Sequence, residues 1–295
     1  MTAQSSTIST SLYDPIPGVS PDIYSGKDFA QVARIVYEAA GIVLPQGKAM
    51  LVYSRLAPLV RASGLVTFGK YIELLGNDRA ELDRTVAALT TNHTFFYREA
   101  HHFEHLAQVV RPQVLSQLEA RRPVRLWSAG CSSGEETWSI IMTLLGPDRA
   151  MGQQIARADI RALASDIAPH AIERGSKAVY PAKDMAPVPA ALRSAWTSSV
   201  GDDELTIAEP ARSIVRFRQL NLLGQWPIKG RFDFIFCRNV MIYFDTPTKE
   251  HLVQRFAQVL APGGFLYIGH SERVTGAATQ MLELVGPTIY RRSGP

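Results

Sequence analysis

The first third of the chain places apolar residues at the spacing of amphipathic helices. In "DFAQVARIVYEAAGIVL" the apolar positions share one face, with Asp28 as a candidate N-terminal cap and Gly41 as the stop. The segments "KAMLVYSRLAPLVRASG", "TFGKYIELLGN" and "RAELDRTVAALTTN" repeat this pattern. We therefore predict an all-helical domain over residues 21–90. Residues 1–20 are mostly polar and lack the pattern, which indicates a flexible tail.

Beyond residue 110 the pattern changes to apolar runs that alternate with helical segments. The runs include "VRLWSAG", "IRALASD", "FDFIFCRNV" and "FLYIGHSE", and the helical segments include "SGEETWSIIMTLL", "APHAIERG" and "PTKEHLVQRFAQVLAPGG". Such alternation predicts an α/β domain over residues 111–295, with a mostly parallel sheet covered by helices on both faces. Ligands of this architecture bind beyond the carboxyl ends of the strands.

Composition and charge exclude several classes of protein. The 295 residues are 46% hydrophobic and 20% charged, which is typical of a globular protein, and the net charge of +4 is too small to indicate nucleic-acid binding. Two cysteines are too few for a disulfide scaffold, so we expect a cytoplasmic location. No apolar run reaches the length of a membrane span, and we expect no membrane insertion.

The predicted strand ends carry the first candidate site residues. "WSAGCSSGEE" is a glycine-containing turn between a strand and a helix, but it lacks the G-x-G-x-x-G spacing of a dinucleotide site. Asp166 ends the next strand, where a carboxylate can bind both ribose hydroxyls of a nucleoside. A helix follows Asp166, so a helix cap is the alternative role for this side chain. The residues alone leave both roles open.

The segment "TNHTFFYREAHHF", residues 91–103, combines aromatic residues with histidines. A buried aromatic helix and a histidine-rich metal site are two explanations of this composition. His101 and His105 would share a helix face, with His102 beside them. No carboxylate or cysteine stands at metal-ligand spacing, so we expect these histidines to pack and no metal to bind.

Six motifs, taken in chain order, resemble those of the CheR-type chemotaxis receptor methyltransferases. They are "NHTFFYREAHHF", "WSAGCSSGEETWSI", "ASDI", "NLL", "FCRNVMIYF" and "GGFLYIGHSE". The resemblance extends from about residue 25 to residue 292. It implies a doubly wound, Rossmann-like class I methyltransferase domain with a small antiparallel β subdomain inserted within residues 180–215. Residues 91–110 would form the linker between the helical domain and this domain and would fold over the cofactor.

The resemblance also implies the reaction and the partner. The enzyme would be a protein-glutamate O-methyltransferase that transfers a methyl group from S-adenosyl-L-methionine to glutamate side chains of chemoreceptor cytoplasmic helices. The products would be a glutamate methyl ester and S-adenosyl-L-homocysteine. A carboxylate is already ionised and a sulfonium is a good leaving group, so we expect no general base and an enzyme that acts by orientation. The resemblance implies a monomer. A methyltransferase of another substrate and a non-catalytic cofactor-binding sensor are the alternatives.

Motif matching assigns cofactor contacts to nine positions. They are Asn92, Thr94, Arg98, Glu136, Asp166, Asn221, Leu222, Asn239 and Val240. In this assignment Asp166 accepts hydrogen bonds from the ribose, and Asn221 offers a donor and an acceptor to the adenine edge. Glu136 would attract the ammonium of the methionyl part, although the helix dipole alone favours a glutamate there. For Asn239 the alternative is a turn-forming asparagine.

Two further groups of residues are assigned to the substrate. We expect Arg98 and Tyr243 to orient the glutamate, Arg98 by its charged fork and Tyr243 by its hydroxyl, with a buried structural tyrosine as the alternative. Lys48, Arg55 and Arg61 would lie along one side of the second helix and bind an acidic receptor helix. A solvated helix face is the alternative explanation of these three cations.

The predicted β subdomain departs from one branch of the family. Members that bind a C-terminal receptor pentapeptide, by adding it as a strand to a sheet edge, have a glycine-rich loop in this region. This chain reads "TSSVGDDELTIAEPARSIVRF", with one glycine and the acidic run "DDE". We therefore predict an enzyme of the pentapeptide-independent kind.

Overall fold

The computed structural model describes residues 18–294, and the chain divides into two structural units, Met1–Thr90 and Thr91–Pro295. Residues 1–17 of the expected flexible tail lie outside the described residues. The segment predicted as a linker, residues 91–110, belongs to the second unit. No helix within residues 18–294 is both long enough and apolar enough to cross a lipid bilayer.

The first unit is helical in its described part, as the apolar spacing predicts. Its helices are α1 Gly26–Ala40, α2 Ala49–Ala62, α3 Phe68–Leu75 and α4 Arg79–Leu89. The left-handed residue Gly41, with φ 68°, ends α1 as expected. The cap at the other end is Ser25, and Asp28 completes a capping box with it, so the prediction that Asp28 is the cap was wrong by three residues.

The second unit alternates strands and helices within residues 91–294. The strands are β1 Val124–Ala129, β2 Ile160–Asp166, β3 Val179–Pro181, β4 Thr197–Ser199, β5 Glu204–Ile207, β6 Val215–Gln219, β7 Phe232–Cys237, β8 Leu260–Ile268, β9 Leu282–Gly286 and β10 Ile289–Arg292. The helices are α5 Ala100–His105, α6 Arg111–Glu119, α7 Glu135–Leu145, α8 Arg149–Arg157, α9 Pro169–Lys177, α10 Ala190–Trp196, α11 Glu209–Ile214 and α12 Thr246–Val259.

The large sheet has seven strands in the order β6-β2-β1-β7-β8-β10-β9. The first five are parallel, and β10 runs antiparallel to both β8 and β9. This confirms the α/β doubly wound prediction. From β1 the chain first adds β2 and β6 on one side of the sheet and later adds β7 and β8 on the other side. The strand order therefore reverses between β1 and β7. A crevice opens at such a reversal, beyond the carboxyl ends of the strands.

The core of the second unit lies on both faces of this sheet. Trp127 on β1 is fully buried, packs against aromatic rings on one face and donates from Nε1 to Ser165 Oγ at 2.8 Å. Phe236 on β7 stacks on Tyr267 of β8 with ring centroids 4.0 Å apart. Burial on both faces explains why the strands read as continuous apolar runs in the sequence.

A small antiparallel sheet is inserted between β2 and β6, which confirms the predicted β subdomain. Its strand order is β3-β5-β4. The acidic residues Asp202 and Asp203 are exposed in the turn that joins β4 to β5. The predicted span of 180–215 also includes α11, which packs with the neighbouring helices rather than in the sheet.

One helical run contains a wide turn. Helix α5 continues into a π-helical segment, Leu106–Val110, and then into α6 without a break. The buried positions Leu106, Val110 and Val114 along this run all join the hydrophobic core of the second unit.

Candidate active site

The turn after β1 is shaped by close packing. Gly130 has φ 79°, and a Cβ atom there would lie 2.3 Å from Val240 Cγ2. The amides of Gly130 and Cys131 both donate to the Ser165 carbonyl, at 2.7 and 2.9 Å. Val240, predicted to contact the cofactor, therefore packs directly on the glycine turn, and only glycine fits at position 130.

Asp166 lies at the carboxyl end of β2, and 7% of it is exposed. Its carboxylate accepts the Ser132 amide at 2.8 Å and the Ala168 amide at 2.9 Å. Burial raises its pKa, while these amide hydrogen bonds act in the opposite direction. The N-terminal cap of α9 is Ala168, so Asp166 is not the helix cap. It fixes the glycine turn instead, and ribose binding stays a prediction.

The segment that begins the second unit lies against the same turn. Ser132 Oγ donates to the Asn92 carbonyl at 3.0 Å, and Asn92 Nδ2 lies 3.2 Å from His170 Nε2. Phe96 is fully buried with its ring edge-on to Tyr180. Thr94 is half-buried between these anchors. The opening segment is thus held over the carboxyl end of β1, where motif matching assigns Asn92 and Thr94 to the cofactor.

The two residues predicted to orient the substrate both bond to this segment. Arg98 Nη1 donates to the His93 carbonyl at 3.1 Å, and its guanidinium lies over the ring of Phe95. The Tyr243 hydroxyl donates to the Thr91 carbonyl at 3.3 Å. Both side chains are half-buried, so their polar ends are accessible.

A buried arginine that we did not predict joins three of the site elements. The Arg238 side chain, 1% exposed, lies 3.2 Å from Glu136 Oε2 and 3.3 Å from Glu99 Oε2. It also donates to the Arg98 carbonyl. Glu136 Oε1 accepts a hydrogen bond from Ser128 Oγ at 2.8 Å. Glu136, predicted to attract an ammonium group, therefore already has a cationic partner within the protein. We call Glu99, Glu136 and Arg238 the arginine network.

The two glutamates of the arginine network have pKa values shifted in opposite directions, because burial outweighs the charge of Arg238 only at Glu136. Burial alone would raise the pKa of Glu99, but Arg238 and His270 outweigh it and lower that pKa to about 2. Burial raises the pKa of Glu136, against the opposing charge of Arg238. His102 is fully buried, and burial together with the Arg238 charge lowers its pKa to about 3.

A second carboxylate that we did not predict shapes the turn after β7. Asn239 has the left-handed φ of 59°. Glu272, 5% exposed, accepts the amides of Gly269 at 2.6 Å, Met241 at 2.8 Å and Asn239 at 3.3 Å. Asn239 Nδ2 also donates to Glu99 at 3.4 Å. The turn-forming role that was the alternative for Asn239 is observed, and its cofactor contact stays a prediction.

Asn221 and Leu222 follow β6 at the same edge of the sheet. Asn221 Oδ1 accepts the Leu223 amide at 3.0 Å. Leu222 is buried, and its carbonyl accepts Arg255 Nη1 at 2.7 Å and Trp226 Nε1 at 3.0 Å. These bonds fix the turn, and the assignment of both residues to the adenine part stays a prediction.

The histidines of α5 make hydrogen bonds and ring contacts. His102 Nε2 lies 3.0 Å from Thr288 Oγ1, and His105 Nδ1 lies 2.8 Å from the Tyr267 hydroxyl. The fold does bring a carboxylate to them, since ligand atoms of Glu99, His101 and His102 lie within 4.8 Å of one another. The sequence spacing had not indicated this carboxylate. That no metal binds stays a prediction.

The cations predicted to bind the receptor differ in their surroundings. Arg55 is half-buried and donates from Nη1 to the Leu89 carbonyl at 3.0 Å and the Thr90 carbonyl at 2.8 Å. It therefore holds the carboxyl end of α4. Lys48, which precedes α2, and Arg61, in its last turn, are both exposed. A receptor-binding role for the three stays a prediction.

The structure thus gathers seven of the predicted residues around the carboxyl ends of β1, β2 and β7. They are Asn92, Arg98, Glu136, Asp166, Asn239, Val240 and Tyr243. Sequence reasoning missed Glu99, Arg238 and Glu272. All three stand inside the motifs quoted above, as the glutamate of "YRE", the arginine of "FCRN" and the glutamate of "GHSE". For Arg238 and Glu272 the available signal was a charged residue just after a predicted strand, whereas Glu99 follows no strand.

Two domain families match the chain in the same order as the two units. "CheR methyltransferase, all-alpha domain" matches residues 27–90, and "CheR methyltransferase, SAM binding domain" matches residues 92–291. A probable chemotaxis protein methyltransferase of Rhizobium etli is 42% identical over 262 residues, which cover 87% of this chain and 96% of that protein. Chemotaxis protein methyltransferase 2 of Pseudomonas aeruginosa is 39% identical over 95% of this chain and 98% of its own. The chemotaxis protein methyltransferase of Escherichia coli is 36% identical over 91% of this chain and 92% of its own.

Proposed function

The chain belongs to the CheR methyltransferase family, and from that premise we propose that it methylates glutamate carboxylates on the cytoplasmic helices of chemoreceptors. The methyl donor is S-adenosylmethionine, the ligand of the matched domain. The product is a glutamate methyl ester. Within this proposal the enzyme acts in the cytoplasm as a monomer, without a metal.

One observation supports this proposal above the others. Arg98 and Tyr243 are 145 positions apart in the chain, yet both bond to carbonyls of residues 91–93. A cationic fork and a phenol hydroxyl are thereby placed beside the ends of β1 and β7. Such a pair can orient an incoming carboxylate by two different kinds of hydrogen bond.

The residues at the strand ends fit the cofactor. At this edge Arg238 Nε is a buried donor without a hydrogen-bond partner among the described residues, so a bound ligand could satisfy it. Asp166 and Asn221 would hold the nucleoside, while Glu136 and Asn239 would face the methionyl part. When bound, S-adenosylmethionine supplies a methyl group on a sulfonium leaving group.

The protein's own contribution to the reaction is orientation and the exclusion of water. Arg98 would hold the glutamate by its guanidinium, and Tyr243 would fix one carboxylate oxygen so that the other points at the methyl group. The carboxylate needs no proton removed, because it is ionised at neutral pH. The buried aromatic residues behind the segment, Phe96 and Phe103, limit access of water from that side.

A labelling assay tests this function directly. Incubation with radiolabelled S-adenosylmethionine and chemoreceptor-bearing membranes should label the receptor, and mild base should release the label because methyl esters hydrolyse readily. Tyr243→Phe should lower turnover by one to two orders of magnitude, roughly 1.4 to 2.7 kcal/mol in the barrier, with affinity for S-adenosylhomocysteine unchanged. Base-stable label, or label on another substrate only, would contradict the proposal.

We also propose that receptors are recognised through their methylation helices rather than through a C-terminal pentapeptide. The exposed acidic residues Asp202 and Asp203 would repel an acidic peptide at the small sheet. Exposed Lys48 and Arg61 are suited to an acidic helix, with Arg55 nearby in sequence. Micromolar binding of the free pentapeptide, measured by calorimetry, would refute this. Methylation that survives deletion of the receptor tail would support it.

A further inference from the structure

A cleft opens at the 3₁₀ turn Met241–Tyr243, where Met241 and Ile242 line it. It has an empty volume of about 600 Å³, part of which is open to solvent. The cleft lies between this turn, the first turn of α12 and the loop after β8. No residue of the motif-based site assignment lines it.

Two cations stand at this cleft. Lys249, in the first turn of α12, is half-buried and has no ion-pair partner among the described residues. Arg273 is exposed, and its Nη1 donates to the His270 carbonyl at 3.0 Å and to the Glu272 carbonyl. The remaining guanidinium donors of Arg273 make no hydrogen bond to other residues of the described chain. Both cations can therefore form an ion pair with an anionic partner.

The carboxylate of Glu272 also lines the cleft, so the charged groups of the lining, two cations and one anion, leave a net charge of +1. Glu272 directs both of its oxygens at backbone amides and is 5% exposed. Nearby Glu250 lies against Gly276 and does not line the cleft. His270, also on this loop, bonds to Glu99 at 3.2 Å. The electrostatic character of the cleft is thus cationic.

The wall of the cleft is apolar at one point. Ile242 is 47% exposed and stands between buried Met241 and half-buried Tyr243. An exposed isoleucine beside unpaired cations is suited to a partner with an apolar side chain and a carboxylate on one face. An amphipathic acidic helix presents such a pair at positions three or four apart.

We propose that this cleft, at the turn Met241–Tyr243, docks the stretch of acidic receptor helix that flanks the methyl-accepting glutamate. A flanking carboxylate pairs with Lys249 and Arg273, and an apolar side chain of the same helix packs on Ile242. The proposal rests on the proposed function for its partner. It gives the second unit a contact surface of its own, at the turn that carries Tyr243.

The test compares Lys249→Glu and Ile242→Ser with wild type on chemoreceptor-bearing membranes at saturating S-adenosylmethionine. We expect the KM for receptor to rise about five- to tenfold in Lys249→Glu, because a charge at the rim of an interface governs encounter and its salt dependence. Ile242→Ser should raise KM by about threefold, the loss of a partly buried apolar contact. The kcat and the Kd for S-adenosylhomocysteine should stay within twofold of wild type in both variants.

Matched variants separate docking from folding and from general charge. Lys249→Arg should keep the wild-type KM, since it keeps the cation. Arg212→Glu makes the same change of charge at an exposed position of α11 that does not line the cleft, and it should leave KM unchanged. Raising the salt concentration should raise the wild-type KM more steeply than that of Lys249→Glu. Circular dichroism melts check that each variant is folded.

A binding measurement keeps the result interpretable without turnover. Enzyme saturated with S-adenosylhomocysteine should sediment with receptor membranes, and Lys249→Glu should sediment about fivefold less. If wild type methylates the receptor and Lys249→Glu has the same KM and the same sedimentation, the docking cleft is refuted while the proposed function stands. If wild type neither labels nor binds the receptor, both are refuted.

Discussion

The two sides of the crevice are fixed by different kinds of polar contact. On the glycine-turn side, the carboxylate of Asp166 accepts two backbone amides, and a steric fit between Gly130 and Val240 sets the shape. On the other side, the arginine network holds the opening segment by ion pairs between side chains. Backbone donors carry no net charge and cannot be substituted, whereas the network depends on every charge being present. Polar groups that are equally buried can therefore differ widely in their sensitivity to mutation and to pH.

Removal of the central cation should have the largest effect. Arg238→Met leaves Glu136 buried without a cation and takes from Glu99 its buried partner, although Arg98 and His270 still lie near Glu99. We expect a loss of about 3 to 5 kcal/mol in unfolding free energy. Urea denaturation at pH 7.5 measures it. Adding Glu99→Gln and Glu136→Gln to Arg238→Met should restore part of the loss. If the triple variant is no more stable than the single one, the ion pairs are not the cause.

A side chain at the glycine turn should rank second. Gly130→Ala combines a positive φ with a Cβ 2.3 Å from Val240 Cγ2, and overpacking together with strain should cost about 2 to 4 kcal/mol. Gly201→Ala is the matched control, because Gly201 has φ 76° with nothing within 4 Å of its Cβ position. Thermal melts measure the stability loss of each variant, and the difference between the two losses gives the steric contribution at position 130. Val240→Ala in the Gly130→Ala background should recover that part only.

The third-largest effect should come from neutralising Asp166, the carboxylate on the glycine-turn side. Asp166→Asn places an amide group against one of two buried backbone donors, which should cost about 1.5 to 3 kcal/mol of stability or cofactor binding. Urea denaturation measures the loss of stability, and calorimetry with S-adenosylhomocysteine measures the loss of cofactor binding. Asp148 accepts two amides at an exposed helix start, so Asp148→Asn should be almost neutral. Unchanged cofactor affinity in Asp166→Asn would leave the residue a purely structural role.

The smallest expected effect is a pH dependence from His102. Its folded pKa of about 3 lies below the ordinary value, so the unfolded chain binds the proton first as pH falls. The stability from the neutral histidine is complete above about pH 6.5 and decreases as pH falls toward 3. Between pH 8 and pH 5 the free energy of unfolding should therefore fall by roughly 1 to 2 kcal/mol less in His102→Gln than in wild type. Exposed His251→Gln should follow the wild-type curve, and parallel curves for both variants would contradict the assignment.

The sequence predicts the fold best where one periodicity dominates. Helices α1 to α4 and the buried strands β1, β2 and β7 were predicted because apolar spacing is a local property of the chain. The predicted helical segment "APHAIERG" ends at Gly175, taken as a helix stop, but α9 continues to Lys177. Gly175 is needed for packing, since a Cβ there would lie 2.5 Å from Phe217 Cε1. A glycine read as a stop can thus be a close contact, which only the tertiary structure reveals.

The site was predictable at single positions but not as pairs. Asp166 and Asn239 stand at strand ends that the sequence pattern locates, so their place in the crevice followed from the fold class. One partner of Arg238 is Glu99, 139 positions earlier, and no spacing rule connects residues so far apart. Arg55 shows the converse, because helical spacing predicted an exposed cation and not its bonds to the end of α4.

The π-helical segment Leu106–Val110 has a consequence for the permitted length of the chain. Buried residues recur there every four positions, a spacing that drifts by about 40° per step around an ideal α-helix. The wide turn absorbs this drift, so that α5 and α6 both keep their apolar faces inward. Deleting one residue would rotate the apolar face of α6 relative to that of α5 by about 100°, the angle between successive residues of a helix. Deleting a residue in this segment should therefore disturb the core more than exchanging one of its apolar side chains for another of similar size.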